Sequence, residues 1–252
     1  MSVFRVLRLL TLLFAIGATL PIAAQNHYYT TTFPGTENPI CEQGTSGCVW
    51  INGLSTGLDW GDVATKPNLA YDTTISGAPP DNDSIAALTG TWTGNQTVQA
   101  TVSLNNSADT SAQEEVELHL NTTIEPHNAT GYELDFSVVQ ADPYVLIVRW
   151  NGPLNNATAL TNLYPIVVHN GDVLMGTNVN GLITIYINGV KQIAVTDTTY
   201  RGGSPGIGFW NEMGTTSQLS NYGFSKFTAW DDAYTGQKPS APTNLSGTVV
   251  PR

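Results

Sequence analysis

One short stretch of the sequence, EVELH, holds three side chains that can carry out acid–base chemistry. Successive side chains of a β-strand point to opposite faces, so Glu115, Glu117 and His119 share one face while Val116 and Leu118 share the other. Carboxyl groups can serve as nucleophile or general acid, and an imidazole can carry a proton. Alternation alone also predicts polar residues that face solvent on a half-buried strand, so the two interpretations stay open.

Aromatic and polar side chains follow one another at two strand ends. Arg149, Trp150 and Asn151 end an apolar run, and Trp210 and Asn211 follow the sequence GIGF. An aromatic ring can stack on the C–H face of a sugar while amide or guanidinium groups bond its hydroxyls. These five residues are therefore candidate glycan-binding groups. The alternative is that the tryptophans only close the ends of an apolar core.

The segment 171–210 contains the strongest local structural signal of the chain. Two apolar β-branched runs, Leu182 to Ile187 and Val190 to Val195, are joined by Asn188-Gly189. Asn-Gly favours a type I′ turn because both of its central residues need a positive φ. The segment predicts a hairpin with Ile183, Ile185 and Ile187 on a buried face, preceded by a strand at 173–177 and followed by one at 206–210.

Other segments alternate in the same way and predict a two-sheet sandwich. The segment 98–104 places apolar residues at every second position, and YELDFS opposes Tyr132, Leu134 and Phe136 to Glu133 and Asp135. The segment 144–150 is apolar on both faces except at Arg149, which predicts a central strand covered on each side. The segments 27–33 and 222–230 predict the first and the last strand.

Four features follow one another in the segment 171–210: a short strand after GD, then G-x-I-x-x-Y-x-N-G, V-x-D-x-x-Y and G-x-P-G-I-G-F. Their order is similar to the second half of a concanavalin A-like lectin/glucanase jelly roll. The resemblance is closest to the laminin-G-like and glycan-binding versions. It implies an all-β fold with two antiparallel sheets over residues 25–234, in which the first and last strands lie side by side. Because the superfamily contains lectins, carbohydrate-binding modules, hydrolases and lyases, the resemblance implies no single activity.

The resemblance also gives EVELH a specific test. Glucanases of this superfamily carry E-x-D-x-E or E-x-D-x-x-E on such a strand, with the outer carboxylates about 5 Å apart for a retaining mechanism. Glu115 would match the nucleophile and Glu117 the helper, but the third place holds His119 or Leu120, and neither is a carboxylic acid. The motif therefore departs from the hydrolase pattern, and a lyase using a His and a Tyr is a further alternative.

Jelly rolls of this type often carry a structural calcium ion near the meeting of their termini. The resemblance therefore implies a Ca²⁺ site at Glu37, Asn38 and Asp231, whose oxygen atoms suit this ion. Ordinary turn formation explains the same residues without a metal.

The N-terminal residues MSVFRVLRLLTLLFAIGATLPIAA predict a signal peptide over residues 1–24, with two arginines, an apolar run too short to span a bilayer and small residues at its end. Secretion places the chain in an oxidising compartment, where Cys41 and Cys48 are expected to form a disulfide. Residues 235–252 predict a Pro/Ser/Thr-rich linker that resembles the start of a fibronectin type III domain, so further domains of a longer protein are expected.

The composition limits the partners. The formal net charge is −11 and only 12 % of the residues are charged. This charge disfavours nucleic acid, anionic membranes and strongly anionic glycans. Together with the candidate glycan-binding residues, the resemblance implies a secreted or cell-surface carbohydrate-binding module, and the charge favours a neutral polysaccharide or cell-surface glycan as its ligand, with no membrane attachment after cleavage. The alternatives are a polysaccharide-cleaving enzyme of the same fold and a structural or adhesive extracellular protein.

Overall fold

The computed structural model describes residues 27–45, 47–74, 81–105, 114–211 and 219–239, and nearly all of its regular structure is β-strand. In chain order the elements are β1 (Tyr28–Thr31), β2 (Gln43–Gly44), β3 (Gly47–Cys48), β4 (Trp50–Asn52), α1 (Gly53–Thr56), β5 (Trp60–Gly61), β6 (Val63–Lys66), β7 (Leu69–Asp72), β8 (Asp81–Leu88), β9 (Gln96–Leu104), β10 (Glu114–Glu125), β11 (Asn128–Ser137), β12 (Val145–Gly152), β13 (Ala157–Ala159), β14 (Val173–Val179), β15 (Leu182–Ile187), β16 (Val190–Thr196), β17 (Ser204–Asn211) and β18 (Tyr222–Asp231).

Two eight-stranded sheets form the sandwich. The first has the order β16-β15-β14-β9-β18-β7-β6, with β1 beside β18. The second has the order β13-β12-β11-β10-β17-β8-β4, with β5 beside β8. In the described part of the chain the strand pairs are antiparallel except β5 with β8. This arrangement confirms the predicted all-β sandwich.

The main core lies between the two sheets. It is built from the alternate residues that face inward, for example Val98 and Val102 of β9 and Val116, Leu118 and Leu120 of β10, all fully buried. A second, smaller apolar cluster lies on the outer face of the second sheet and contains Leu58, Trp60, Ile85, Ala87, Ile124 and Ala129. The second sheet is therefore covered on both faces over part of its area.

The Asn188-Gly189 hairpin is confirmed. β15 pairs with β16 in antiparallel register, and φ is 50° at Asn188 and 77° at Gly189, as a type I′ turn requires. Ile183, Ile185 and Ile187 are buried as expected. Thr184 on the opposite face is buried as well, so that face is not wholly exposed to solvent.

One detail of the strand order differs from the sequence-based expectation, and a second was not predicted. β12 is not a central strand, because only the three-residue β13 lies beyond it at that edge of the second sheet. Its apolar outer residues Leu146 and Val148 are partly exposed. β17, which follows the hairpin in the chain, pairs with β8 and β10 and so belongs to the second sheet. Hydrophobic alternation carries no information about which sheet a strand joins.

The last strand, β18, contains an irregularity that determines which of its side chains point into the core. The register of β18 with β9 shifts between Phe224 and Lys226, which is a β-bulge. Phe224 and Phe227, three residues apart, can therefore both point inward, and both are fully buried. The first strand, β1, pairs with β18 as predicted.

The predicted disulfide is confirmed between Cys41 and Cys48, beside the small β2–β3 hairpin. The predicted signal peptide and most of the predicted linker fall in residues 1–26 and 240–252, outside the described residues. Within the described residues, no helix has the length and apolar character needed to span a membrane, and α1 comprises four residues.

The pH dependence of the free energy of unfolding tests the burial of Asp72 in the core. Its side chain is 0 % exposed and accepts hydrogen bonds from the amide and hydroxyl of Thr74. Burial raises the pKa of Asp72 from 3.8 to about 7. The stability that arises from this shift is fully present below pH 3.8, the unfolded-state pKa, and is lost as the pH rises towards 7.

Asp72→Asn removes this titration. Relative to the wild type, the variant should gain free energy of unfolding as the pH rises from 4 to 7, by up to about 1.4 kcal/mol per pH unit, and the difference should be constant above pH 7. Urea unfolding at several pH values measures this, with the exposed Asp142→Asn as control. A difference between Asp72→Asn and wild type that does not vary with pH would contradict the prediction.

Candidate functional site

The candidate catalytic residues lie on the outer face of the second sheet, where β10 and β11 run side by side. The antiparallel register places Glu115 opposite Ser137, Glu117 opposite Asp135 and His119 opposite Glu133. Because directly opposite residues share a face, one face collects four carboxyl groups and one imidazole. We call Glu115, Glu117, His119, Glu133 and Asp135 the acidic cluster.

The acidic cluster is buried although it lies outside the main core. Glu117 is 0 %, His119 1 % and Glu115 8 % exposed. α1 packs against β8 and β10, and Trp60 packs edge-on against Trp150 with 4.4 Å between ring centroids. The expectation of a solvent-facing polar strand is therefore wrong, because the segment between β4 and β6 covers this face.

Burial and mutual repulsion control the protonation of the cluster. Burial raises the pKa of Glu115 to about 8, although its hydrogen bond with Tyr144 acts in the opposite direction. Burial, followed by repulsion from neighbouring carboxylates, holds the pKa of Glu117 and of Asp135 well above the ordinary range. Burial lowers the pKa of His119 to about 3, so its imidazole is neutral at physiological pH.

Neighbouring side chains donate hydrogen bonds to two members of the acidic cluster. The Tyr144 hydroxyl donates to Glu115, and the Trp150 Nε1–H donates to Glu133. His119 Nε2 lies 3.2 Å from Glu117 Oε2. Two oxygens, Glu117 Oε1 and Asp135 Oδ1, are buried without a hydrogen-bond partner among the described residues.

An open pocket adjoins the Glu115 end of the cluster. Its volume is about 580 Å³, and the residues that line it are Glu115, Asp142, Pro143, Tyr144, Leu146, Leu163, Pro165 and Trp210. The rings of Trp210 and Tyr144 are partly exposed there, and Leu163 and Pro165 are exposed. Of the acidic cluster, Glu115 alone lines this space, which we call the Trp210 pocket.

The structure separates the candidate glycan-binding residues from one another. Trp210 lies in the pocket, whereas Asn211 points to the opposite face of β17 and is fully buried. Trp150 is partly exposed over the cluster, at a different position on the same sheet. Arg149 and Asn151 point to the face opposite Trp150, because strand neighbours alternate.

Arg149 and Asn151 take part in a polar network at one end of the sandwich. Arg149 donates to Asp197 over 2.5 Å and to Asn151 over 2.9 Å, and Asn151 in turn donates to Thr158. Burial alone would raise the pKa of Asp197, but hydrogen bonds from Thr199, Tyr132 and Arg149 lower it to about 2. These contacts already occupy the polar groups that the sequence suggested for a sugar.

The candidate calcium ligands have protein partners in the structure. Glu37 Oε2 accepts the backbone N–H groups of Cys41 and Glu42, at 2.8 and 3.0 Å. Asp231 is buried and accepts hydrogen bonds from the amides of Thr93 and Ala233, and lies 2.8 Å from His27. Calcium at Glu37, Asn38 and Asp231 stays a prediction.

A different group of residues has the spacing needed for a metal. Glu117, His119 and Glu133 each offer one ligand atom, and these atoms lie within 4.8 Å of one another. In the part of the chain that the structure describes, this is the one such group of His, Cys, Asp or Glu residues.

Sequence reasoning did not assign Glu133, Asp135 and Tyr144 to a site on this face. The polar face of YELDFS was recognised, but its neighbour on the sheet was not. The short turn at Pro126-His127 pairs Glu125 with Asn128 and by itself would set His119 opposite Leu134. A register shift between Leu120 and Thr123 moves the pairing by one residue and sets His119 opposite Glu133, and no local signal in the sequence marks that shift. Nothing local indicated that a distant segment covers the polar face.

No protein-family model matches the sequence, and no curated protein sequence does. Solved structures do match the fold. The VIP36 exoplasmic/lumenal domain in its Ca²⁺/Man2-bound form has a TM-score of 0.54 and 11 % identity, covering 84 % of this chain and 90 % of that chain.

Two further similar structures are the carbohydrate-binding module CBM66 from Bacillus subtilis (TM-score 0.47, 14 % identity, 66 % of this chain and 92 % of that chain) and a native glycosidic hydrolase (TM-score 0.47, 13 % identity, 81 % and 96 %). With the two antiparallel sheets, the VIP36 likeness shows that this chain has the concanavalin A-like jelly-roll fold.

Gly208 of β17 provides a test of the cluster geometry. A Cβ atom at this position would lie 2.2 Å from Glu117 Oε2 and 2.5 Å from His119 Nε2. Gly208→Ala should therefore lower the free energy of unfolding by about 1–3 kcal/mol, the usual cost of overpacking a buried site. Gly202→Ala is the matched control, because nothing lies within 4 Å of its Cβ position. Equal urea midpoints for the two variants would show that the cluster does not pack against Gly208.

Proposed function

We propose that the chain is a secreted carbohydrate-binding module that recognises a neutral polysaccharide or cell-surface glycan in the Trp210 pocket. The observation that carries the proposal is the pair of partly exposed aromatic rings, Trp210 and Tyr144, beside exposed apolar residues and two carboxyl groups. Aromatic rings bind the C–H faces of sugars, and carboxyl groups bond their hydroxyls. The VIP36 domain, which has a similar fold, is described in a Ca²⁺/Man2-bound form, and this supports a glycan as ligand.

The pocket chemistry favours an uncharged or weakly charged sugar. Glu115 and Asp142 are its ionisable residues together with Tyr144, and no Lys, Arg or His is among the described residues that line it. A uronate or sulfate group would lack a cationic partner there and would meet a protein of net charge −11. This charge pattern supports a neutral glycan rather than an acidic one.

A cleaving enzyme is the second candidate, and one observation favours it. Glu115 lies in the pocket, and burial raises its pKa to about 8, as is common for a general acid. Hydrolysis by a pair of carboxyl groups, however, needs both at the scissile bond. The second carboxyl group of the pocket, Asp142, is exposed and lies outside the strands. Glu117 is 0 % exposed and His119 1 %, so a sugar in the pocket does not reach the other side chains of EVELH. Binding without cleavage therefore fits the geometry better.

Location outside the cell is part of the proposal. The Cys41–Cys48 disulfide is the bond expected of an oxidising compartment, and the predicted signal peptide would deliver the chain there. In this location the predicted linker after residue 234 would join the module to further domains. Cleavage of the signal peptide can be checked by N-terminal sequencing of the secreted protein.

Binding to insoluble polysaccharides tests the proposed function. The mature chain, Gln25 to Arg252, should bind at least one neutral polysaccharide in a pull-down, and Trp210→Ala should weaken the affinity at least about tenfold, because a stacked ring contributes on the order of 1 kcal/mol or more. Tyr186→Ala is the control, since Tyr186 is a partly exposed aromatic residue on the other sheet.

Reducing-sugar release in the same tubes separates the candidates. Binding without release supports the module. Release that Glu115→Gln abolishes would overturn it in favour of the enzyme. Failure to bind any polysaccharide or glycan array would instead favour a structural or adhesive protein. Loss of binding in Trp150→Ala but not in Trp210→Ala would move the site to the other candidate tryptophan.

A further inference from the structure

We propose that Glu117, His119 and Glu133 form a buried binding site for one divalent transition-metal ion beneath the Trp150 ring. This site differs from the predicted calcium site at Glu37, Asn38 and Asp231. It does not depend on the proposed glycan binding, since none of its three residues lines the Trp210 pocket.

The geometry brings the three residues together from two adjacent strands. Glu117 and His119 are separated by one residue on β10, so their side chains point the same way, and Glu133 lies directly opposite His119 on β11. One ligand atom of each lies within 4.8 Å of the other two. Atoms at this separation can contact one central ion at ordinary coordination distances of about 2.0–2.2 Å after small side-chain shifts.

Two unpartnered buried oxygens independently indicate a missing ligand. Glu117 Oε1 and Asp135 Oδ1 lie on the same sheet face, with Glu117 directly opposite Asp135, and neither has a hydrogen-bond partner among the described residues. A buried polar atom left without a partner costs about 1–3 kcal/mol, and more if it is charged, so native proteins seldom leave two together. A cation bound between the strands would provide a partner for both.

The surrounding charge also favours a cation. The groups that act most strongly on Glu117 are the carboxylates of Glu133, Asp83, Glu115 and Asp135. Among the described Lys and Arg residues, Arg149 is the one that forms an ion pair with a carboxylate. Its partner is Asp197, which is not a member of the acidic cluster. The cluster therefore gathers carboxyl groups in a buried place where none of the described Lys or Arg residues pairs with them, so that either protons or a bound cation must neutralise them.

The donor set selects the class of metal. Two or three carboxylates with one imidazole suit Zn²⁺ or Mn²⁺, whereas Ca²⁺ prefers six to eight oxygen ligands. Gly208 fits this role, because its missing side chain leaves room for Glu117 Oε2 and His119 Nε2 to approach each other. The Trp150 N–H bonded to Glu133 would orient that carboxylate towards the ion, as partners of metal ligands commonly do.

Zinc titration of the whole chain tests the proposal. After treatment with EDTA, the protein should bind one equivalent of Zn²⁺ in isothermal titration calorimetry, and its melting temperature should rise with Zn²⁺. Glu117→Gln should weaken that binding by about 100-fold or more. Its metal-free form should melt no lower than metal-free wild type, since a neutral amide of nearly the same shape replaces a carboxyl group that burial disfavours in its charged form.

Glu125→Gln is the matched control, because Glu125 is an exposed residue of the same strand. It should bind Zn²⁺ like the wild type. If the wild type binds no more Zn²⁺ than Glu117→Gln does, or if Zn²⁺ leaves the melting temperature of both unchanged, the proposal is overturned. The carboxyl groups would then be kept neutral by protons. None of these measurements needs a glycan, so they stay interpretable if glycan binding fails.

Discussion

The desolvation of the acidic cluster is the constraint on which the outer face of the second sheet depends. Moving a carboxyl group from water into a protein interior costs several kcal/mol unless it is neutralised or paired. Here four such groups share two neighbouring strands. The surrounding residues are matched to them: Gly208 leaves space for Glu117, Tyr144 donates to Glu115, and Trp150 donates to Glu133. The Trp210 pocket lies where this cover ends, beside Glu115.

Local signals predicted most of the strands, because alternation and turn chemistry act over a few residues. The Asn188-Gly189 hairpin and the two-sheet sandwich followed from these signals, and the pairing of the first and last strands followed from the resemblance to jelly rolls. The details that depend on distant contacts did not. Alternation cannot show that β17 joins the second sheet, that β12 lies near an edge, or that a bulge turns both Phe224 and Phe227 inward.

The candidate site was predicted in part. EVELH was recognised as a polar face, and Trp210 was selected because an aromatic residue and an amide follow a strand end. Burial of Glu117 and His119 could not be read from β10, because the covering residues come from the segment around Trp60, more than fifty residues earlier in the chain. The grouping of Arg149, Trp150 and Asn151 failed for a simpler reason. Neighbours on a strand point to opposite faces, so Arg149 reaches Asp197 while Trp150 reaches Glu133.

The pairing of β1 with β18 has a mechanical consequence. Tyr28 lies opposite Trp230 and Thr31 opposite Phe227, so the chain enters and leaves at the same end of this strand pair. A force that pulls the two ends apart acts across the strands, and it loads the hydrogen bonds one after another instead of all together. The His27–Asp231 contact and the stacked rings of Tyr28 and Tyr234 lie at the point that is loaded first. A domain tethered at both ends would therefore begin to yield by peeling at this corner, while the hairpin and the acidic cluster carry little of the load.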